Sequence, residues 1–124
     1  MPWEVEFTDQ FGTWWEALSE GQQEDLDARV SLLEEYGPAL GRPTVGHVAS
    51  SRHQHMKELR VSSEGGSLRV LFAFDPRRTA ILLIGGDKSG QWDDWYKTAV
   101  PAADRLLDAH LAALELEGDA DAKH

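Results

Sequence analysis

The run SLRVLFAFDPRRTAILLI, residues 67 to 84, constrains this chain more than any other stretch. Leu68, Val70, Phe72 and Phe74 alternate with Arg69, Leu71 and Ala73, the two-residue period of a strand whose side chains leave opposite faces. TAILLI is a second strand-like run, and the DPRR between the two has Asp and Pro in the positions a type I turn favours. MKELRV, residues 56 to 61, is followed by the turn signal SSEGG and supplies a third. Residues 56 to 84 therefore predict three consecutive antiparallel strands.

The flanking segments complete the layout. Trp3, Val5 and Phe7 alternate with Glu4 and Glu6 as a first strand, and Phe11, Trp14, Trp15 and Leu18 mark one face of a helix. Ser19 and Gln22 have capping-box spacing and open a second helix, with Leu26, Val30 and Leu33 inward and a stop at Gly37 and Pro38. Residues 38 to 55 suit a loop with room for one short extended piece. QWDDWYKTA reads as helical, and Pro101 is expected to open a last helix carrying Leu106, Leu107, Leu111 and Leu114. The order β-α-α-β-β-β-α predicts an α+β fold: a mostly antiparallel sheet with helices on one face and the other face open. Residues 1–117 are read as a single domain, and 118–124 as a flexible C-terminal tail.

Charge narrows the function. Twelve Lys and Arg against 22 Asp and Glu leave a net charge of −10, which argues against simple electrostatic capture of nucleic acid or an anionic membrane. The balance is uneven, however. Ser51 to Lys88 holds seven Lys/Arg and four acids, about +3, so the remainder is about −13. With no cysteine, disulfides, thiolate zinc sites and a cysteine nucleophile are excluded. No basic-flanked leader or long apolar span is present, so a cytoplasmic protein with no membrane partner is expected.

Arg69, between Leu68 and Val70, must point to the face opposite theirs, away from the helices. The plain alternative is a solvated arginine on the wet side of a sheet. Arg60 has the same status on its own strand, while Lys57 has the opposite parity and cannot share a face with it without a bulge. Arg77 and Arg78 sit in a turn, where solvation is the simpler role. His53 and His55 share one side of an extended segment and suit either a phosphate or a metal, but no third metal ligand has a supporting spacing. His47 reads as a loop residue. Trp92, Trp95 and Tyr96 have helical spacing, with Tyr96 carrying a hydroxyl able to move a proton. GGDKSG lacks phosphate-loop spacing, and no serine-centred elbow occurs.

MKELRV, the glycine turn and LRVLFAFDPRRTAILLIGGDK, followed by a helix, resemble the RelE/HigB superfamily of toxins from bacterial type II toxin–antitoxin modules, closest to the HigB-like, phage-associated branch. The resemblance implies a RelE-like fold, a cognate antitoxin protein as partner, and ribosome-dependent cleavage of messenger RNA without a metal or other cofactor. By that resemblance Arg69 matches the arginine on the scissile phosphate and Arg60 another commonly basic strand position. Lys88 matches one of a basic pair after the last strand, and Tyr96 a C-terminal tyrosine used in proton transfer. These four are the catalytic candidates, with Lys57, His55, Arg77 and Arg78 as RNA-binding candidates and no metal ligands. Glu58 falls where some active members have lysine.

The implied chemistry needs a 2′-OH to lose its proton and attack phosphorus, a group to protonate the leaving 5′-oxygen, and cations to hold the extra charge. Guanidinium groups suit the last role; Lys88, Tyr96 and His55 all suit proton movement. Two functions stand: an RNA-cleaving toxin, and a non-catalytic interaction module that keeps the sheet surface and binds an antitoxin or another protein. One contiguous positive patch of Arg60, Arg69 and Lys88 favours the first; positives each paired with an acid favour the second.

Overall fold

The computed structural model describes residues 2–87 and 92–122. A five-stranded mixed sheet forms its centre. β1 (Glu4–Phe7) is followed by α1 (Asp9–Glu16), α2 (Glu20–Tyr36), β2 (Val45–His47), β3 (Lys57–Ser63), β4 (Gly66–Phe74), β5 (Thr79–Asp87) and α3 (Trp92–Ala122). The strand order is β1-β5-β4-β3-β2. β3 to β5 pair antiparallel, as the alternation predicts, β2 adds a short antiparallel strand beside β3, and β1 joins β5 in parallel.

Local chemistry explains the element ends. The Thr8 side chain accepts from the Phe11 N–H and caps α1. Ser19 and Gln22 form the full capping box on α2. The β3–β4 hairpin closes through Glu64 and Gly65, both at positive φ (51° and 78°), the signature of a type I′ turn whose twist matches the strands.

Helices cover both faces of the sheet, and this corrects the expectation of one open face. Leu59, Val61, Leu68, Val70, Phe72, Ala80 and Leu82 meet α1 and α2 through Phe11, Leu26 and Leu33. Leu71, Ala73, Ile81 and Leu83 meet Ala99, Val100, Ala103 and Leu107 of α3 on the other side. The physical reason lies in β4 and β5, whose second-face residues are themselves apolar and need cover. α3 also runs unbroken through Pro101, where the sequence predicts a helix start. Proline there removes one backbone hydrogen bond, to the Lys97 carbonyl, but Pro101 is exposed while Ala99, Val100 and Ala103 are buried. Packing outweighs the lost bond.

β5 extends past Ile84 through both glycines to Asp87. Its pairing with β4 shifts register between Leu71 and Phe72, and Leu83 and Ile84 both turn toward α3. Gly85 then faces α1 and Gly86 faces α3. A Cβ on Gly85 would collide with the Trp14 ring, and one on Gly86 with the Trp95 indole. We therefore expect Gly85→Ala and Gly86→Ala each to lower stability by about 1–3 kcal/mol, as overpacking does. Urea unfolding measures this, and an unchanged midpoint would show that the tryptophans move aside freely.

Candidate active site

Strand register sets Arg60 directly opposite Arg69. Leu59, Val61, Leu68 and Val70 take the α1/α2 face, so both arginines leave the sheet on the face that α3 covers. Like charges facing each other across a strand pair are destabilising. Glu58, two residues before Arg60 and on the same face, offsets them. Its Oε1 accepts a hydrogen bond from Arg60 Nε at 3.1 Å and lies 3.9 Å from Arg69 Nε. Its Oε2 accepts a hydrogen bond from the Tyr96 hydroxyl of α3.

The expected solvated face is therefore a roofed one. The Glu58 side chain is 8% exposed and Arg69 13%, while Arg60 is 35% exposed and forms the open side of the cluster. Arg69 Nη1 also donates to the Leu68 carbonyl at 3.1 Å. Glycine shapes the surroundings: a Cβ on Gly46 of β2 would strike the Arg60 guanidinium, and Gly86, the register partner of Arg69, makes room for Trp95. Burial, then the Glu58 hydrogen bond and charge, push the Tyr96 hydroxyl up to about 12, with Arg69 pulling the other way. At neutral pH Tyr96 is a proton donor.

Of the catalytic candidates, Arg60, Arg69 and Tyr96 meet in this cluster, and Lys88 lies outside the described residues. Glu58 is the member that sequence reading treated only as a departure; its two-residue spacing from Arg60 was the available signal.

The RNA-binding candidates lie elsewhere. Lys57 takes the opposite face, as its parity requires, with its ammonium 5.8 Å from the Phe74 ring centre. With His55, His47 and Arg42 it lines a groove of about 390 Å³ near β2. Arg77 and Arg78 lie in the β4–β5 turn, beyond the end of β4 at Phe74, which is five residues from Arg69 and thus roughly 17 Å along the strand. Neither is simply solvated. Arg77 binds the fully buried Asp75 carboxylate at 2.7 Å and Glu6 at 2.9 Å. Arg78, at φ 67°, holds its guanidinium 4.4 Å from the Trp3 ring centre.

Two further acid clusters tie α3 down. His110 of α3 lies 2.9 Å from Asp75. Burial alone would raise the Asp75 carboxyl, but hydrogen bonds from His110, Arg77 and backbone N–H groups outweigh it and lower it. Asp104 accepts from the Ser51 hydroxyl and the Arg52 N–H, and Asp108 pairs with Arg52 and with His53 at 2.8 Å. His53 is thus held against α3, whereas His55 faces the groove, so the two do not act as a pair.

Comparison with known proteins identifies the chain's relatives. The family model described as phage derived protein Gp49-like matches residues 13–108. The chain belongs to that family. HigB2 of Mycobacterium tuberculosis, which bears the name of a toxin, is 46% identical over 108 residues, covering 86% of this chain. This Gp49-like chain spans about half of HigB2's length, 54%. HigB3 of the same organism is 46% identical over 104 residues, covering 84% of this chain and 90% of HigB3. These relatives bear out the RelE/HigB family resemblance.

The fold has solved counterparts. A free-state arginine mutant of the E. coli toxin RelE aligns at TM-score 0.60 and 13% identity, over 85% of this chain and 98% of RelE. RelE in the RelE–RelB complex of Pyrococcus horikoshii aligns at 0.55 and 15% identity, over 73% of this chain and all of that one. The Gp49-like chain has the RelE fold. Among its described residues, no helix is long and apolar enough to cross a membrane.

The raised Tyr96 value carries a test. A group whose folded pKa is raised contributes stability that is fully present below its unfolded value, about 10, and is lost as pH rises toward 12. Alkaline titration of ultraviolet tyrosinate absorbance should show one of the two tyrosines ionising near pH 12, absent in Tyr96→Phe. Complete ionisation of both near pH 10 would contradict the buried contact with Glu58.

Proposed function

We propose that this chain is the toxin of a type II toxin–antitoxin pair and a metal-independent endonuclease that cleaves messenger RNA on the ribosome in the cytoplasm, with a cognate antitoxin as its partner. The observation that carries this reading is the Arg60–Arg69 pair, two guanidinium groups opposite each other beside a protonated tyrosine and a buried carboxylate. The toxin names of its HigB relatives and the RelE–RelB complex of a fold neighbour support it.

In this reading the two guanidinium groups bind the non-bridging oxygens of the scissile phosphate. The 2′-oxygen bonds to phosphorus, the bond from phosphorus to the 5′-oxygen breaks, and a 2′,3′-cyclic phosphate and a 5′-hydroxyl result. Tyr96 supplies the proton for the leaving oxygen. Glu58, the carboxylate in contact with Arg60 and Tyr96, is the group at the cluster able to take one up. Lys88 remains a candidate, and Lys57 and His55 are proposed RNA contacts on the groove side. Arg77 and Arg78 have structural partners that compete with that role.

The interaction-module reading draws on a specific observation too: Arg60, Arg69 and Arg77 each have an acid beside them. Messenger-RNA cleavage in a reconstituted translation reaction separates the two. Wild type should cleave. Arg69→Ala should lower cleavage about 100-fold or more, and Arg69→Lys should restore part of it, since lysine keeps the charge but loses the two-pronged contact. Because Arg69 is largely buried, the alanine variant should also lose about 1–3 kcal/mol of stability, and the lysine variant separates that loss from catalysis. Undiminished cleavage by Arg69→Ala would remove Arg69 from the mechanism, and no cleavage by wild type would leave the module reading.

A further inference from the structure

The groove that β1, α1 and α2 enclose lies on the opposite side of the sheet from the Arg60–Arg69 cluster. Val5, Phe7, Phe11, Trp15, Val30 and Leu82 form its apolar floor, with a volume of about 280 Å³. Phe7 is 64% exposed, an unusual state for a phenylalanine in a strand. Glu4, Asp27 and Glu34 stand on its rim, all three exposed. None of them has an ion-pair partner among the described residues, in contrast to Asp108, Glu58 and Asp75 beside α3. β1 is also the terminal strand of the sheet, so no strand covers its outer edge.

An apolar floor inside an acidic rim selects its ligand by charge. An acidic segment would be repelled by three uncompensated carboxylates and by a body of net charge −10. RNA is excluded on the same ground. We propose that this groove docks a protein segment that carries basic side chains around apolar ones, and that the segment belongs to the antitoxin. The inference rests on the toxin–antitoxin reading and adds to it the place and chemistry of the contact. The arginines need no acidic antitoxin segment to offset them. Glu58 already sits against them from within the chain. The antitoxin segment then anchors the partner on one side of the sheet and leaves the arginine cluster on the other.

The test titrates the full chain with the purified protein encoded beside it, by calorimetry at low and at moderate salt. Asp27→Lys/Glu34→Lys reverses the rim, and Val30→Glu puts a charge on the floor. Each should weaken binding by about tenfold or more, with the rim variant losing most of the salt dependence. Messenger-RNA cleavage should stay at the wild-type level in both, since neither touches the arginine cluster. Val30 is half-buried, so its thermal midpoint is compared with wild type; the exposed rim pair decides the matter if Val30→Glu unfolds. Equal binding by wild type and the rim variant overturns the groove assignment alone. Tighter binding by the rim variant overturns the basic character of the segment. Failure of wild type to bind overturns the toxin–antitoxin reading and the groove assignment with it.

Discussion

The Glu58 carboxylate is the group on which fold and site both depend. Burying an ion costs several kcal/mol unless neighbours compensate it, and Glu58 is compensated by Arg60, Arg69 and Tyr96, drawn from β3, β4 and α3. Remove the carboxylate and Arg60 faces Arg69 across the strands without the acid that lies within 4 Å of both. The same carboxylate joins α3 to the sheet near its first turns. Asp104 and Asp108 anchor α3 further along, and His110 with Asp75 anchors it beyond. One long helix is thus tied down at three levels, which is why it can cross Pro101 and still roof the second face.

That internal pairing also reconciles a cationic site with an acidic protein. A body of net charge −10 offers RNA no long-range attraction. In the proposed reaction, recognition by the arginines would rest on short contacts, with a phosphate joining or displacing the glutamate on Arg60, the more exposed of the two. Three acids with no ion-pair partner among the described residues, Glu4, Asp27 and Glu34, lie on the far side of the sheet, around the groove of Val5, Phe11 and Val30.

Much of this was legible in the residues. The β3–β5 meander followed from alternation, the α2 start from Ser19 and Gln22, and the face of Arg69 from the parity of Leu68 and Val70. What failed were features set by contacts distant in sequence. The parallel pairing of β1 with β5 leaves no trace in local pattern. The covering of the second face was hinted at by Leu71, Ala73 and the unbroken ILLI of β5, but Arg69 drew attention to solvent instead. Proline's local preference at 101 was overridden by packing, and the bulge at Leu83 and Ile84 extended a strand through two glycines that read as loop. Glu58 was visible, yet a charged residue in a strand shows its partners only once register and the α3 docking are known.

Glu58 and Tyr96 act as one unit that holds α3 over the arginines. A double-mutant cycle on unfolding free energy, with Glu58→Gln, Tyr96→Phe and the double variant, measures that directly. The expected coupling is about 1 kcal/mol or more, as residues in one hydrogen-bonded network show, with Tyr96→Phe costing little once Glu58 is neutral. Additive losses would mean that the two side chains merely lie close, and that the fold does not depend on their contact.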